Sequence, residues 1–373
     1  MKGARILVVD DEPGMLRAVQ RVLSSQHEVA CSGSSLEALR LALEFRPELA
    51  ILDIRMPDLD GFELLSRLKL DHPDLDVILM TGSLSDPDRK LIRAIRGEAF
   101  YFLQKPFDRE VLTTLVERCV RLRRLAEGNR RHLARLVAEL AEARAFQHGL
   151  LPPQEATVEG VAICCRYHPC SELGGDLFDY APAGRGRAAL LVADVSGHGT
   201  SAAMLTGVVK SAFDSARGDG YDPAAVAGRV WAALRSFGDQ RFVTMFCAIV
   251  DSLEGRLEFV GAGHPPPLLW RVGQEPSTLS PTAPLISPAL PRASWTKRTV
   301  PFDPSSRLLA YTDGITESQA EENPFGAERL AAAALSRPGG GAELVDDVLR
   351  AVREFMGARP ASDDWTLLTA RLA

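Results

Sequence analysis

No apolar run among these 373 residues approaches the roughly 18–20 that a membrane-spanning helix needs. The first residues, Met1-Lys2-Gly3-Ala4-Arg5, lead straight into a strand-like segment. They show neither the apolar core nor the cleavage site of a secretory leader, which predicts a cytoplasmic protein with no membrane partner. Cysteine is scarce: six, irregularly spaced, make no disulfide framework in so long a chain. An excess of positive charge is missing too. Lys and Arg number 43 against 49 Asp and Glu, a net −6, which argues against a protein that coats nucleic acid. At 46% hydrophobic and 25% charged, the chain is neither disordered nor fibrous. Its length exceeds one ordinary domain and fits two or three.

Charge divides the chain into three pieces. Residues 1–107 hold 14 basic and 17 acidic groups (−3), residues 108–150 hold 9 and 6 (+3), and residues 151–373 hold 20 and 26 (−6). In the first piece short apolar runs alternate with amphipathic stretches. Ile6-Leu7-Val8-Val9 ends in Asp10-Asp11, and Leu49-Ala50-Ile51-Leu52 ends in Asp53. Val77-Ile78-Leu79-Met80 ends in Thr81-Gly82, and Phe100-Tyr101-Phe102-Leu103 ends near Lys105-Pro106. Solid apolar strands alternating with helices predict an α/β doubly wound parallel sheet, covered on both faces. Ligands of such sheets bind at the carboxyl ends of strands, so these polar residues converge. Crowded carboxylates need a cation, and a hard divalent ion suits oxygen ligands. Lys105 and Thr81 beside that ion can hold phosphoryl oxygens, which points to phosphoryl transfer onto an Asp carboxylate.

These residues make the first segment resemble a flavodoxin-like two-component receiver domain over its full length. The Leu52-Asp53-Ile54-Arg55-Met56-Pro57-Asp58-Leu59-Asp60-Gly61 run matches that family's phosphoacceptor pattern. The resemblance implies phosphorylation of Asp53 by a sensor histidine kinase. It implies Mg²⁺ held by Asp11, Asp53 and the Arg55 carbonyl, with Asp10 acting through water. Thr81 and Lys105 are the implied switch residues. Phe102 takes the switch position that is often Tyr, without the hydroxyl.

The middle piece has no proline, and Gly128 is its only glycine before Gly149. Leu112, Leu115, Cys119, Leu122, Ala126, Asn129, Leu133, Leu136, Leu140, Ala143, Gln147 and Leu150 follow alternating steps of three and four, a coiled-coil seam. Such a helix spans roughly 65 Å at 1.5 Å per residue. Gly128-Asn129 interrupts the seam. The arginines from Arg118 to Arg135 read as a solvated face, since no aromatics interleave them. The reading is a homodimerising helical linker and signal rod. A helix packed on the next domain is the alternative.

From about residue 158 strand-like runs with turns dominate. Strands are expected at Ala188–Val195, Thr244–Val250, Leu257–Val260, Pro267–Val272, Arg307–Tyr311 and Thr366–Arg371. Helical periodicity marks Ser201–Ser215, Pro223–Phe237, Phe325–Leu335 and Ala342–Met356. That order predicts an α+β layered β-sandwich with flanking helices. Ten of the 24 prolines lie in residues 265–304, an irregular connection. Cys164, Cys165, His168 and Cys170 read either as a metal or redox cluster or as part of a buried strand. Acids stand at strand ends or glycine turns: Asp176, Asp179, Asp194, Asp313, Asp363 and Asp364. All-oxygen sites favour Mg²⁺ or Mn²⁺ over zinc, and two such ions can activate water and clamp a phosphoryl group.

Five runs carry a second resemblance. They are Glu172-Leu173-Gly174-Gly175-Asp176, Asp194-Val195-Ser196-Gly197-His198-Gly199, Ala262-Gly263-His264-Pro265-Pro266-Pro267, Tyr311-Thr312-Asp313-Gly314 and Asp363-Asp364-Trp365-Thr366. Residues from about 145 to 373 resemble the PPM-type (type 2C) serine/threonine phosphatases of the bacterial SpoIIE-like branch. The resemblance implies two Mn²⁺ or Mg²⁺ ions on Asp176, Asp194, Asp313, Asp363 and the Val195 carbonyl, with Asp194 bridging. Asp364 can exchange roles with Asp363. His198 reads as a general acid or a loop-packing residue, and His264 as structural. The expected boundaries are 1–121 receiver, 122–150 coiled-coil linker and 151–373 phosphatase. The implied substrate is a phosphorylated STAS-domain anti-sigma-factor antagonist in a partner-switching pathway. The alternative is a regulated binding scaffold with little turnover. A DNA-binding output is excluded by the acidic last segment, which shows no helix-turn-helix pattern.

Overall fold

The computed structural model describes residues 3–82, 101–197, 199–292, 295–321, 323–336 and 341–372. The chain forms two compact units, Met1–Leu136 and Val137–Ala373.

In the first unit β1 (Arg5–Val9), β2 (Glu28–Ser32), β3 (Leu49–Asp53), β4 (Asp76–Thr81) and β5 (Tyr101–Gln104) form one sheet in the order β2-β1-β3-β4-β5. Every pairing is parallel, as the solid apolar strands predict. Helices α1 (Pro13–Leu23) and α4 (Arg109–Leu150) cover one face through Val19, Leu23, Leu112, Val116 and Cys119. Helices α2 (Ser35–Phe45) and α3 (Gly61–Asp71) cover the other through Ala38, Ala42, Leu64, Leu65 and Leu68. Asp60 caps α3, its Oδ1 accepting from the Glu63 N–H at 2.8 Å. Gly61 follows because a Cβ there would lie 2.3 Å from the Asp53 carbonyl. The Asp-Gly pair thus seats α3 against the strand end that bears Asp53.

Helix α4 is continuous for 42 residues, about 63 Å. Gly128 does not break it. Its seam does not behave uniformly: Leu112 and Cys119 are core, whereas Leu122, Leu133, Leu136 and Leu140 are exposed. Gln147, a seam position by spacing, is buried in the second unit.

The second unit is a four-layer sandwich. Strands β6 (Glu155–Val158), β7 (Val161–His168), β8 (Asp176–Pro182) and β9 (Arg187–Val195) precede α5 (Thr200–Ser215) and α6 (Pro223–Leu234). Then come β10 (Val243–Asp251), β11 (Arg256–Ala262), β12 (Leu268–Arg271), β13 (Ser277–Thr278), β14 (Arg298–Pro301) and β15 (Ser306–Tyr311). A single helical turn α7 (Asp313–Thr316), the short pair β16 (Gln319–Ala320) and β17 (Asn323–Pro324), α8 (Gly326–Leu335), α9 (Ala342–Met356) and β18 (Trp365–Leu372) complete it. One antiparallel sheet has the order β14-β11-β10-β9-β8 and the other β13-β12-β15-β18-β7-β6.

Period-two alternation builds the layers. On β9, Leu190 and Val192 face the second sheet among Phe178, Phe246, Phe259 and Leu368. Leu191 and Ala193 face α5 and α6 among Val209, Phe213 and Val230. On the far face of the second sheet, Leu309 and Leu367 meet Leu330, Val345 and Leu349 of α8 and α9. The same alternation decides the cysteine question: Cys164 belongs to this outer layer and Cys165 to the core between sheets, so they face apart. Strand β8 is among the elements that patterning does not announce, as are β6, β13 and β14; its acids interrupt the apolar run.

Candidate active site

Two acidic pockets form, one in each unit. In the first, Lys105 follows β5 and reaches across the carboxyl ends of β1 and β3. Its Nζ lies 2.6 Å from Asp10 Oδ2 and 2.7 Å from Asp53 Oδ1. Asp10 also accepts from the Glu12 N–H at 3.0 Å, and Asp53 from the Arg55 N–H at 3.0 Å. Burial pushes the Asp10 carboxyl up, and Lys105 offsets part of that. Thr81 is buried, and its carbonyl accepts from the Lys105 N–H at 2.7 Å. Asp11 is exposed at the same strand end. Phe102 is half-buried against the α2–α3 side of the sheet.

The second pocket gathers residues from β8 and β9 of one sheet and from β15 and β18 of the other. Strand pairing sets Asp176 of β8 opposite Asp194 of β9, and Thr244 of β10 opposite Asp194. From the other sheet, Thr312 and Thr366 donate their hydroxyls to Asp176 Oδ2 at 2.7 and 2.6 Å. The two threonines also lock each other: the Thr312 N–H reaches the Thr366 carbonyl at 3.1 Å, and the Thr366 N–H reaches Thr312 Oγ1 at 3.1 Å. Asp313 follows Thr312 at the start of α7, and Gly314 packs so tightly that a Cβ would lie 2.1 Å from the Asp364 carbonyl. The Val195 N–H bonds the Gly175 carbonyl at 3.1 Å.

Charge crowding is the dominant property here. Burial, then the carboxylates of Asp313, Asp363, Asp364 and Glu317, push Asp194 up to about 7. Burial and Asp194 push Asp176 well above the carboxylate range, and burial and Glu317 raise Asp313. Like charges gathered at oxygen donors fit hard divalent cations. The residues present therefore suit such ions.

The adjacent acids Asp363 and Asp364 differ. Asp364 is buried and uses both oxygens on main-chain N–H groups, from Cys170 at 2.8 Å, Gly175 at 2.6 Å and Asp176 at 3.4 Å. It organises the loop that carries Asp176. Asp363 is exposed. Among the described residues, Cys170, Asp363 and Asp364 bring ligand atoms within 4.8 Å of one another. The Cys170 thiol is pushed up to about 11 by burial and Asp364, so it stays protonated at neutral pH. His264 is buried, bonds Thr244 Oγ1 through Nδ1 at 2.9 Å, and falls to about 3 through burial. It is a neutral brace. His198 lies outside the described residues.

Sequence reasoning did not single out Thr312, Thr366, Glu317 or Gln147. Glu317 stands one helical turn beyond Asp313, a spacing that offered a signal. Gln147, at the end of α4, donates to the Gly174 carbonyl at 2.7 Å and to Thr206 Oγ1 at 3.3 Å. It also accepts from the Gly174 N–H at 3.3 Å. An amide in a largely apolar seam is its only mark.

Comparison with known proteins agrees with this division. The response regulator receiver domain model matches residues 6–117. The stage II sporulation protein E (SpoIIE) model matches residues 184–373, just over half the chain. The C4-dicarboxylate transport transcriptional regulatory protein DctD of Pseudomonas aeruginosa is 35% identical over 127 residues, 34% of this chain and 27% of its own length. Protein IcfG of Synechocystis is 23% identical over 259 residues, covering 62% of this chain and 41% of that protein. The chain thus spans only 25–27% of the length of the first curated relatives it matches. Among solved structures, the SiaA-PP2C domain of Pseudomonas aeruginosa shares the fold at TM-score 0.58 and 24% identity over 65% of this chain and 99% of that one. The PP2C phosphatase domain and regulatory fragment of SpoIIE from Bacillus subtilis does so at 0.51 and 16%, over 57% and 63%. No helix among the described residues is long and apolar enough to cross a membrane. With an N-terminal receiver domain and a C-terminal PP2C-like sandwich, the chain belongs to the SpoIIE-type PPM phosphatase family.

Proposed function

We propose that the chain is a receiver-controlled, metal-dependent phosphatase that hydrolyses phosphoserine or phosphothreonine on a protein. The observation that carries this reading is the convergence of Asp176, Asp194, Asp313 and Asp363 from two sheets, with Asp194 raised to about 7 chiefly by burial and neighbouring carboxylates. Asp176, Asp194, Asp313, Asp363 and the Val195 carbonyl would hold two Mn²⁺ or Mg²⁺ ions. When bound, such ions supply an activated water and charge neutralisation at the phosphoryl group. The chain's own residues fix the donors. Thr312 and Thr366 orient Asp176, Asp364 holds the Cys170–Asp176 loop, and His264 braces Thr244 beside Asp194. The substrate in this reading is a phosphorylated STAS-domain anti-sigma-factor antagonist.

Control begins at Asp53, which takes a phosphoryl group from a sensor histidine kinase. In this reading Lys105 and Thr81 would receive its oxygens, and Asp10, Asp11, Asp53 and the Arg55 carbonyl would hold Mg²⁺. The signal passes along α4, whose exposed Leu122, Leu133, Leu136 and Leu140 support pairing with a second copy. Its far end bonds Gly174, two residues before Asp176.

The test gives full-length protein with Mn²⁺ two substrates, p-nitrophenyl phosphate and a phosphorylated STAS-domain protein, with and without beryllofluoride. Equal phosphate release by wild type and Asp194→Asn would falsify the catalytic assignment. Activity indifferent to both beryllofluoride and Asp53→Ala removes the receiver control. Deleting four residues from α4 rotates one unit against the other, and unchanged regulation in that variant removes the rod.

A further inference from the structure

An arginine beside the catalytic loop has no part in the chemistry above. Arg241 lies two residues before β10, and β10 sets Val243 opposite Val195 and Thr244 opposite Asp194. Arg241 therefore reaches the turn after Asp194. Its guanidinium donates to the Ser196 carbonyl at 3.4 Å and to the Ser201 hydroxyl at 3.2 Å. Both acceptors are neutral, and among the described residues it forms no ion pair with a carboxylate. A half-buried cation that forms no such ion pair, next to a pocket of acids, is placed for a ligand anion.

Its neighbours are apolar and open. The Phe242 N–H donates to Ser196 Oγ at 3.0 Å and its carbonyl accepts from the Ser196 N–H at 2.9 Å, yet its side chain is 38% exposed. Met204 lies three residues beyond Ser201 on α5, hence on the same side of the helix, and is 74% exposed. Arg241 bonds the turn two residues beyond Asp194.

Resting on the phosphatase reading, we propose that Arg241, Phe242 and Met204 form the subsite for the substrate segment beside the phosphorylated residue. The guanidinium takes a flanking carboxylate, and Phe242 with Met204 takes a flanking apolar side chain. A cation at this edge favours acidic flanking segments over basic ones.

The experiment uses full-length protein, Mn²⁺, p-nitrophenyl phosphate and three phosphoserine decapeptides, flanked by Glu and Leu, by Lys and Leu, or by Glu and Gly. Wild type is expected to prefer the first over each of the others by about threefold to tenfold in kcat/KM, the scale of an exposed ion pair or one apolar contact. Arg241→Gln keeps a donor for the Ser196 carbonyl and removes the charge. It should erase the preference for Glu over Lys and retain that for Leu over Gly. Phe242→Ala leaves the main-chain bonds to Ser196 and should do the reverse. Absence of both preferences in wild type overturns the subsite. So does a parallel fall on all peptides and p-nitrophenyl phosphate in both variants, which marks a loop brace. No turnover of any substrate overturns the phosphatase reading itself and the subsite with it.

Discussion

The two acidic pockets solve one electrostatic problem in opposite ways. In the first unit the carboxylates carry their own counter-charge: Lys105 touches both Asp10 and Asp53. In the second unit the groups bonded to Asp176 are hydroxyls, and the charges acting on Asp194 are other acids. A pocket with a built-in ammonium carries part of its own counter-charge. A pocket of acids and hydroxyls depends on cations from outside. The first arrangement suits a group that accepts a phosphoryl and keeps it. The second suits one where cations do the work of removing it.

The largest effect expected from this contrast is catalytic. Asp194→Asn removes the carboxylate at the middle of the crowd. It should lower p-nitrophenyl phosphate turnover about a thousandfold, the scale of several kcal/mol of charge stabilisation. A drop of less than tenfold breaks the claim that this pocket is the working one.

A smaller effect would turn one pocket into the other kind. Lys105→Met leaves Asp10 and Asp53, both buried, without their ammonium. Removing one member of a buried pair costs about 3 kcal/mol, so the receiver's unfolding transition should fall in calorimetry. Added Mg²⁺ should recover much of the loss. A variant as stable as wild type without Mg²⁺ contradicts the idea that Lys105 is the internal counter-charge.

Next comes the support of Asp176. Thr366→Val deletes one of two hydroxyls donated to a carboxylate that is 3% exposed. A hydrogen bond to a buried charged group is worth about 1.5–3 kcal/mol, so the phosphatase transition should drop by several degrees. Double replacement of Thr312 and Thr366 by Val should cost more than either alone, measured by the same scan. Equal melting temperatures would mean that the hydroxyls are incidental.

The contrast also explains what could be read from the sequence. A parallel sheet gathers the carboxyl ends of its strands, so Asp10, Asp53, Thr81 and Lys105 were legible as one pocket from strand order alone. Antiparallel strands scatter their ends. That Asp176 begins a strand opposite Asp194, and that Thr312 and Thr366 arrive from another sheet, depends on register and layer packing. The acids stood out by their repeated strand-end and glycine settings, and their family resemblance supplied the grouping. Nothing in the text of Asp363-Asp364 says which acid faces the loop and which faces solvent. Gln147 was misjudged for a similar reason: helical spacing assigns it a seam position but says nothing of which body buries it.

The smallest effect concerns the helix between the pockets. Gly128 sits inside α4, and a Cβ there meets nothing within 4 Å. Gly128→Ala should therefore stabilise the helix by about 0.5–1 kcal/mol, with slower amide exchange in the turns around it. If α4 passes the state of Asp53 to Gly174 as a rigid rod, stiffening it leaves the beryllofluoride response intact or raises it. If the signal travels by bending at this glycine, the same substitution weakens the response while the helix gains stability. Opposite signs for exchange protection and regulation would identify Gly128 as a hinge. Matching signs would mean that the two pockets are joined by a rotation or shift of one unbroken helix.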